Sequence, residues 1–582
     1  MKTPAVFAHY LFALMIVTTV SSCATPINDV AASYAFINGA IYTADANDTM
    51  VEALVIGNDT ILYTGDNAGA NKYISSARNI IDLNGRMLMP GLTDAHVHPI
   101  RGAVKDLYEC NFEFNATPNE VQQAVKKCVD AQPESDWIIG GQWDSAYFQN
   151  NDIESPRALL DEVSNGKAVY LRDDSLHNIW VNSRALEIAG FDESTPDPEN
   201  GTIVRDENGV PNGILLETAA KAMNEFKADY NPTQLQNAAS EFVRVANSYG
   251  LTGAKGASTY THELQALYDV DQNPGLTLHV GASIRTLDGR RSEPLDYDEI
   301  ELTRKKYTGK NLHTDFVKIF LDGVPTPART AAMLTPYIDD PAHPRDFDGG
   351  PLLVDEATLT TDLIALDQRG FTVKIHTAGD RSVRVALNAI EATRKANGNN
   401  ALRHELAHAG YIDPHDIPRF AELNAVVDMS PILWYPSAIM DAIYQAVPKE
   451  RGQQYYPVRA LLDNSAPLLA GSDWPAVSIN VNPWGGIEAL VTRANPYGHY
   501  PGTLWPEQAI TLVEALRIYS IDGARALKLE QKTGSLEVGK LADFIMLEQN
   551  IFDLPIDQVS EIQPLQTWFK GKKVYQRPAL SQ

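Results

Sequence analysis

Two histidines two residues apart, His96 and His98, end the stretch Met89-Pro90-Gly91-Leu92-Thr93-Asp94-Ala95-His96-Val97-His98-Pro99. On a strand that spacing puts both imidazoles on one face. Neutral imidazole is a common zinc ligand, and a pair fixed at a strand end supplies half of a metal site. Two ordinary hydrogen-bonded histidines are the alternative. Leu468-Leu469-Ala470-Gly471-Ser472-Asp473-Trp474-Pro475 reads as a strand ending in an aspartate. Such a carboxylate either holds a metal-bound water and takes its proton, as hydrolysis requires, or only starts a turn before Pro475. Thr372-Val373-Lys374-Ile375-His376-Thr377-Ala378-Gly379-Asp380-Arg381 runs from strand to helix, with His376 near the strand's carboxyl end. Lys318 interrupts the apolar run Phe316-Val317-Lys318-Ile319-Phe320-Leu321, where a bare cation would pay a desolvation penalty unless it is modified, sits near a metal or pairs with Asp322. Three cysteines are present; beyond Cys23 only Cys110 and Cys128 remain, free or bridged, so a metal would rely on His and carboxylate ligands.

These residues need a frame to bring them together. From about 33 to 89, short β-like runs alternate with turn signals such as Asn38-Gly39 and Asn84-Gly85, and the stretch 526–576 has the same texture. The two ends are expected to form one composite β-sandwich. Between them, in 90–525, apolar strand-like runs alternate with amphipathic stretches at 232–249, 355–368 and 381–396, the pattern of a parallel α/β architecture. Without a Gly-rich phosphate loop after a strand, and with polar residues recurring at strand ends, a barrel is favoured over an open sheet. The stretch 107–217, rich in Asp, Asn, Gly and Pro, reads as an insertion shaping a pocket.

The chain of 582 residues is 44% hydrophobic, enough to bury a large core in two or three structural units. A formal charge of −26, with no basic stretch to offset it, speaks against nucleic acid or an anionic membrane face as partner. Residues 1–23 have the layout of a secretory signal: Lys2, an apolar run from Tyr10 to Val20, then Ser21-Ser22-Cys23. The last three resemble a bacterial lipobox, with Cys23 lipidated; ordinary cleavage near Ala24 is the alternative. The expectation is an exported protein, periplasmic or anchored in the outer membrane by lipid, with membrane contact through that anchor alone. Assembly into a homo-oligomer is left open.

Pro-Gly-x-x-Asp-x-His-x-His after a small β-domain resembles the first barrel strand of the amidohydrolase superfamily. Gly141-Gln142-Trp143-Asp144, the segment from Leu171 to Gly190 and the tail Gly534-Ser535-Leu536-Glu537-Val538-Gly539-Lys540-Leu541-Ala542-Asp543 are similar to amidohydrolase family 3, over about 34–574. That group contains N-substituted formamide deformylase. The resemblance implies an α/β fold, a TIM-like (β/α)8 barrel with the β-sandwich built from both chain ends and an insertion after the first barrel strand. It carries the metal-ligand role to His96, His98, His376, His408 and Asp473, with Asp473 also the catalytic base, and a carboxylated, metal-bridging form to Lys318. Ala407 stands where the family usually has an acid before the histidine. His177, Trp143 and Arg381 are expected at the substrate site, with His404 and Trp474 as further pocket candidates.

The implied activity is hydrolysis of a C–N bond, amide or N-formyl, in a small molecule. One or two divalent metal ions, zinc foremost, would activate the water, and Asp473 would shuttle its proton to the leaving amine. A deaminase on the same barrel and a non-catalytic, surface-anchored binding protein are the rival readings.

Overall fold

The computed structural model describes residues 31–579, apart from 115, 145, 200, 228, 287–288, 340–348, 400–401, 477, 479 and 499. The signal and lipobox expected in 1–23 lie outside the described residues. Among the described residues, no helix is long and apolar enough to cross a membrane.

Eight parallel strands form the centre: β1 (Leu92–Val97), β2 (Leu251–Thr259), β3 (His279–Arg285), β4 (Leu312–Phe320), β5 (Thr372–Thr377), β6 (Glu405–His408), β7 (Val426–Met429) and β8 (Leu468–Ala470). Each pairs with its sequence neighbour. The gap between β8 and β1 is spanned just past β8, where the Asp473 amide donates to the His96 carbonyl at 2.7 Å and the His98 amide to the Trp474 carbonyl at 2.8 Å. β1 and β5 are buried along their whole length, as strands covered on both faces are, although Thr93, Asp94, His96, Lys374 and His376 are among their buried side chains.

Helices cover the outside where the apolar periodicity placed them, at Pro232–Ser248, Glu356–Gln368 and Asp380–Asn397. The Asn231 and Gln234 side chains form a capping box that starts the first, and the Asp355 carboxylate accepts from the Thr358 amide to start the second.

The two chain ends meet in a sandwich. Phe544–Leu547 pairs antiparallel with Met87–Pro90 inside a six-stranded sheet, which faces a four-stranded sheet made of N-terminal strands alone. Phe36 packs edge-on against Phe544, 5.2 Å between ring centroids, so neither end has a complete core without the other. Between β1 and β2 the chain builds a further six-stranded sheet, from Cys110–Asn111 to Pro211–Glu217, with its own core around Val121, Trp143 and Trp180. Cys110 and Cys128 form a disulfide within it, their Cα atoms 5.8 Å apart.

Candidate active site

The five expected ligand residues and Lys318 stand towards the carboxyl ends of the barrel strands or just past them. His96 lies on β1; His98 lies one residue past it and opens the helix Pro99–Tyr108. His376 is on β5, His408 ends β6, Lys318 is on β4, and Asp473 follows β8. One Asp473 oxygen stands 3.4 Å from His96 Nε2 and 3.3 Å from His98 Nε2, and the other stands 3.8 Å from His408 Nδ1. Ring centroids are 4.9 Å apart for His96 and His408 and 4.7 Å for His376 and His408. His408 and Asp473 both hold left-handed backbone, φ 71° and 57°, a conformation costing on the order of 1–3 kcal/mol that the surrounding hydrogen bonds must impose.

Burial holds the His96, His376 and His408 imidazoles well below the ordinary histidine pKa, and lowers that of His98. All four are therefore neutral ligand candidates at pH 7. The ring nitrogens turned away from the cluster are anchored in two of them: His96 Nδ1 lies 2.7 Å from Asp428, and His376 Nδ1 2.9 Å from Asp322. Asp322 is itself fixed by the amides of Ala332, Ala378 and Gly379 and by the Ser382 hydroxyl. Behind Asp428 runs a buried chain of alternating charge: Asp428 contacts Lys374, Lys374 lies 3.0 Å from Glu405, and Glu405 binds Lys255.

Lys318 is buried and among the described residues has no ion-pair partner; Asp322, the partner considered for it, serves His376 instead. Burial, and then the nearby Lys374 charge, push its pKa down to about 7.

The expected substrate residues divide. His177 lines the cavity over the histidines, its Nδ1 2.9 Å from Glu217, which also accepts from the Thr330 hydroxyl. Trp143 does not line that cavity: its ring packs against Phe148 in the insertion core and its Nε1–H donates to the Leu171 carbonyl, because the flanking strand turns it inward. Arg381 is likewise not a lining residue; its guanidinium bonds the Gly350 carbonyl, and the neighbouring Asp380 pairs with Arg451. His404 is buried between Asp367 and the Val373 amide, and Trp474 packs against Phe242. Asp428, Asp322 and Glu217 were not singled out from the sequence, although Asp428, like Lys318, is a charge interrupting an apolar strand, and that pattern marks it.

A sequence model of the amidohydrolase family matches residues 79–575. The chain belongs to the amidohydrolase family. This amidohydrolase is 30% identical over 566 residues to Protein LONG AFTER FAR-RED 3 of Arabidopsis thaliana, covering 95% of this chain and 93% of the plant protein. It is 26% identical to the N-substituted formamide deformylase of Arthrobacter pascens, covering 93% and 98%. An uncharacterized metal-dependent hydrolase of Pyrococcus horikoshii shares the fold, with a TM-score of 0.68 at 24% identity over 90% of this chain and 99% of that one.

Proposed function

We propose that this amidohydrolase cleaves the C–N bond of an amide, N-formyl or N-acyl substrate with water, using a divalent metal site of which zinc is the first choice. One observation carries the reading: His96, His98 and Asp473 each turn a ligand atom to a common point, all within 4.8 Å of one another. The donor set fits an ion, since two neutral imidazoles and a carboxylate suit zinc, and the buried His408 Nδ1, which faces Asp473, has no hydrogen-bond partner of its own. His376, His408 and Lys318 would complete the site. When bound, the ion polarises the scissile carbonyl and lowers the pKa of water towards neutrality.

The residues then have separate tasks. Asp473 accepts the proton of the attacking water and returns it to the departing nitrogen, and the acid's own proton follows, so that amide plus water gives carboxylate plus ammonium. His177, held by Glu217 at a raised pKa, presents an N–H to a substrate oxygen. Lys318 has the environment for carboxylation, in which its neutral amine bonds the carbon of carbon dioxide and releases a proton. Export, with a lipid anchor at Cys23, is proposed on the layout of residues 1–23 and agrees with a disulfide in the insertion. The partner is a small amide, with no nucleic acid, and membrane contact comes only through the anchor.

The test is elemental analysis of protein lacking residues 1–23, beside the His96→Ala/His98→Ala double variant, with turnover of a panel of N-formyl and N-acyl amines. About one or two metal equivalents lost with the histidines, and amide cleavage that Asp473→Asn lowers by on the order of 10²–10⁴ while most metal stays, are expected. No metal above the double variant after reconstitution would end this reading.

A further inference from the structure

The motif Gly141-Gln142-Trp143-Asp144 belongs to the insertion, yet one of its side chains leaves it. The strand Trp137–Trp143 runs between the strands Cys110–Asn111 and Ala168–Asp173. The fit is close: a Cβ on Gly140 would lie 2.2 Å from the Cys110 carbonyl oxygen, and one on Gly141, whose φ is 137°, would lie 2.5 Å from that of Arg172. Gly141 pairs with Arg172 and Trp143 with Asp173, so Gln142 is an extra residue in the ladder. A bulge of this kind re-aims one side chain. Its far flank is fixed, since the Trp143 carbonyl accepts from the Asp174 amide at 2.8 Å and the Asp144 carboxylate from the Ala146 amide at 2.7 Å. Trp143 turns into the insertion core, whereas Gln142 reaches the barrel.

There the Gln142 amide is used at both ends. Its Oε1 accepts from Lys105 Nζ at 2.8 Å and its Nε2 donates to the Pro475 carbonyl at 2.6 Å, with 1% of the residue exposed. The partners settle which end is which, because an ammonium only donates and a carbonyl only accepts. Lys105 lies on the helix Pro99–Tyr108 that His98 opens. Pro475 lies two residues past Asp473, in the turn that the Ala476 amide closes on the Asp473 carbonyl at 2.7 Å.

Three successive residues of that turn are held from outside. The Asp473 amide is held by the His96 carbonyl, the Trp474 carbonyl by the His98 amide, and the Pro475 carbonyl by Gln142. The first two holds come from β1 and its end, and the third comes from the insertion. Asp473 has left-handed backbone, so the direction of its carboxylate depends on how this turn is set.

We infer that Gln142 is a positioning residue for the reaction: by holding the Pro475 carbonyl it sets the turn that aims the Asp473 carboxylate, which makes the insertion part of the apparatus for proton transfer. The inference rests on the reading of Asp473 as the base. The choice of side chain supports it. A glutamate would bind Lys105 more strongly through a charge-assisted pair, but it has nothing to donate to a carbonyl; the amide is what Pro475 requires. A general base misplaced by about 1 Å loses on the order of 10²-fold in rate, so a hold on this turn is worth having.

The experiment uses zinc-loaded protein and two variants that remove the donor to Pro475 in opposite ways. Gln142→Glu keeps a partner for Lys105, and Gln142→Met/Lys105→Met removes both polar groups without leaving a buried charge unpaired. They are assayed on an amide that the unaltered protein cleaves, at about pH 8.5, where a carboxyl beside Lys105 is ionised. Each is expected to lower kcat by about 10–100-fold, with KM within about twofold and zinc content retained. A tie between insertion and barrel would be restored by the glutamate, so Gln142→Glu protein with the unaltered kcat overturns the inference, as does a loss confined to KM. Either result leaves the amide-hydrolase reading intact. If the unaltered protein cleaves no amide, that earlier reading fails and crystallography decides this one. The Asp473 carboxylate of Gln142→Glu, in the crystal form of the unaltered protein, is then displaced by about 0.5 Å or more against His96 and His98, or it superimposes and refutes the inference.

Discussion

His96 shows how much of the site depends on a residue outside it. Its Nε2 can face the cluster as a lone pair only if Nδ1 carries the proton, and Asp428, 2.7 Å away, selects that tautomer. Asp428 in turn contacts Lys374, and Lys374 is shared with Glu405, all in the barrel interior with almost no exposed surface. Taking the charge from Asp428 therefore weakens the ligand without touching it. Asp428→Asn is expected to lower zinc affinity by about 10–100-fold, measured by competition with a chromophoric chelator, with the barrel still folded by circular dichroism. An unchanged affinity would mean that His96 is oriented by packing alone. The conservative Glu405→Gln, two contacts further from the ligand through Lys374, should give a smaller effect in the same direction.

Among the elements, the seam between β8 and β1 is the joint that sets Asp473 against the two histidines. Gly471 sits in it for a steric reason: a Cβ there would lie 2.1 Å from the His96 amide nitrogen and 2.5 Å from an Asp94 oxygen. Since one neighbour is backbone, β1 would have to move. Gly471→Ala is expected to cost about 1–3 kcal/mol, read as a lower thermal midpoint, and to reduce metal content together with it. A variant with full stability and full metal content would show that the seam has slack. The barrel and its helices were legible in the sequence because apolar periodicity and caps are local signals: the amphipathic stretch expected at 232–249 forms the helix Pro232–Ser248. The cluster was legible too, since His96, His98, His376, His408 and Asp473 each stand at or just past a strand end, and parallel strands deliver their ends to one face. Side-chain direction off the barrel was not. Trp143 and Arg381 carry suitable chemistry, yet the insertion sheet turns one into its own core and the Gly350 carbonyl holds the other. Glu217 meets His177 across 40 residues and so leaves no local trace beside its partner.

At the scale of the whole molecule, the buried imidazoles couple folding to pH. Burial depresses the pKa of His96, His98, His376 and His408 in the metal-free protein below the ordinary 6.5. Below that value the unfolded chain binds protons that the folded chain refuses, so stability is full above pH 6.5 and is lost as pH falls. Each such histidine contributes a slope of up to about 1.4 kcal/mol per pH unit. Glu217 adds in the same direction lower down, its pKa drawn to about 2 from 4.5 with His177 as the main opposing charge against burial; its contribution is present above pH 4.5 and lost towards 2. His177 runs the other way, because its pKa is raised: its contribution is full below 6.5 and disappears as pH rises through the folded value. With His313 and His404 also depressed, six imidazoles act in this direction, against the raised His177 and the buried carboxyls of Asp94 and Asp322, pushed up to about 7 and about 6, so the thermal midpoint of chelator-treated protein should fall between about pH 7 and 5. About 0.15 M salt in that measurement keeps the relief of acidic surface repulsion small. Zinc should raise the midpoint by binding the folded chain alone, and the rise should shrink over the same pH range as protons compete for the ring nitrogens. A metal-free profile that stays flat or climbs towards pH 5 would mean that the imidazoles are already charged in the folded protein, which a neutral ligand set cannot be.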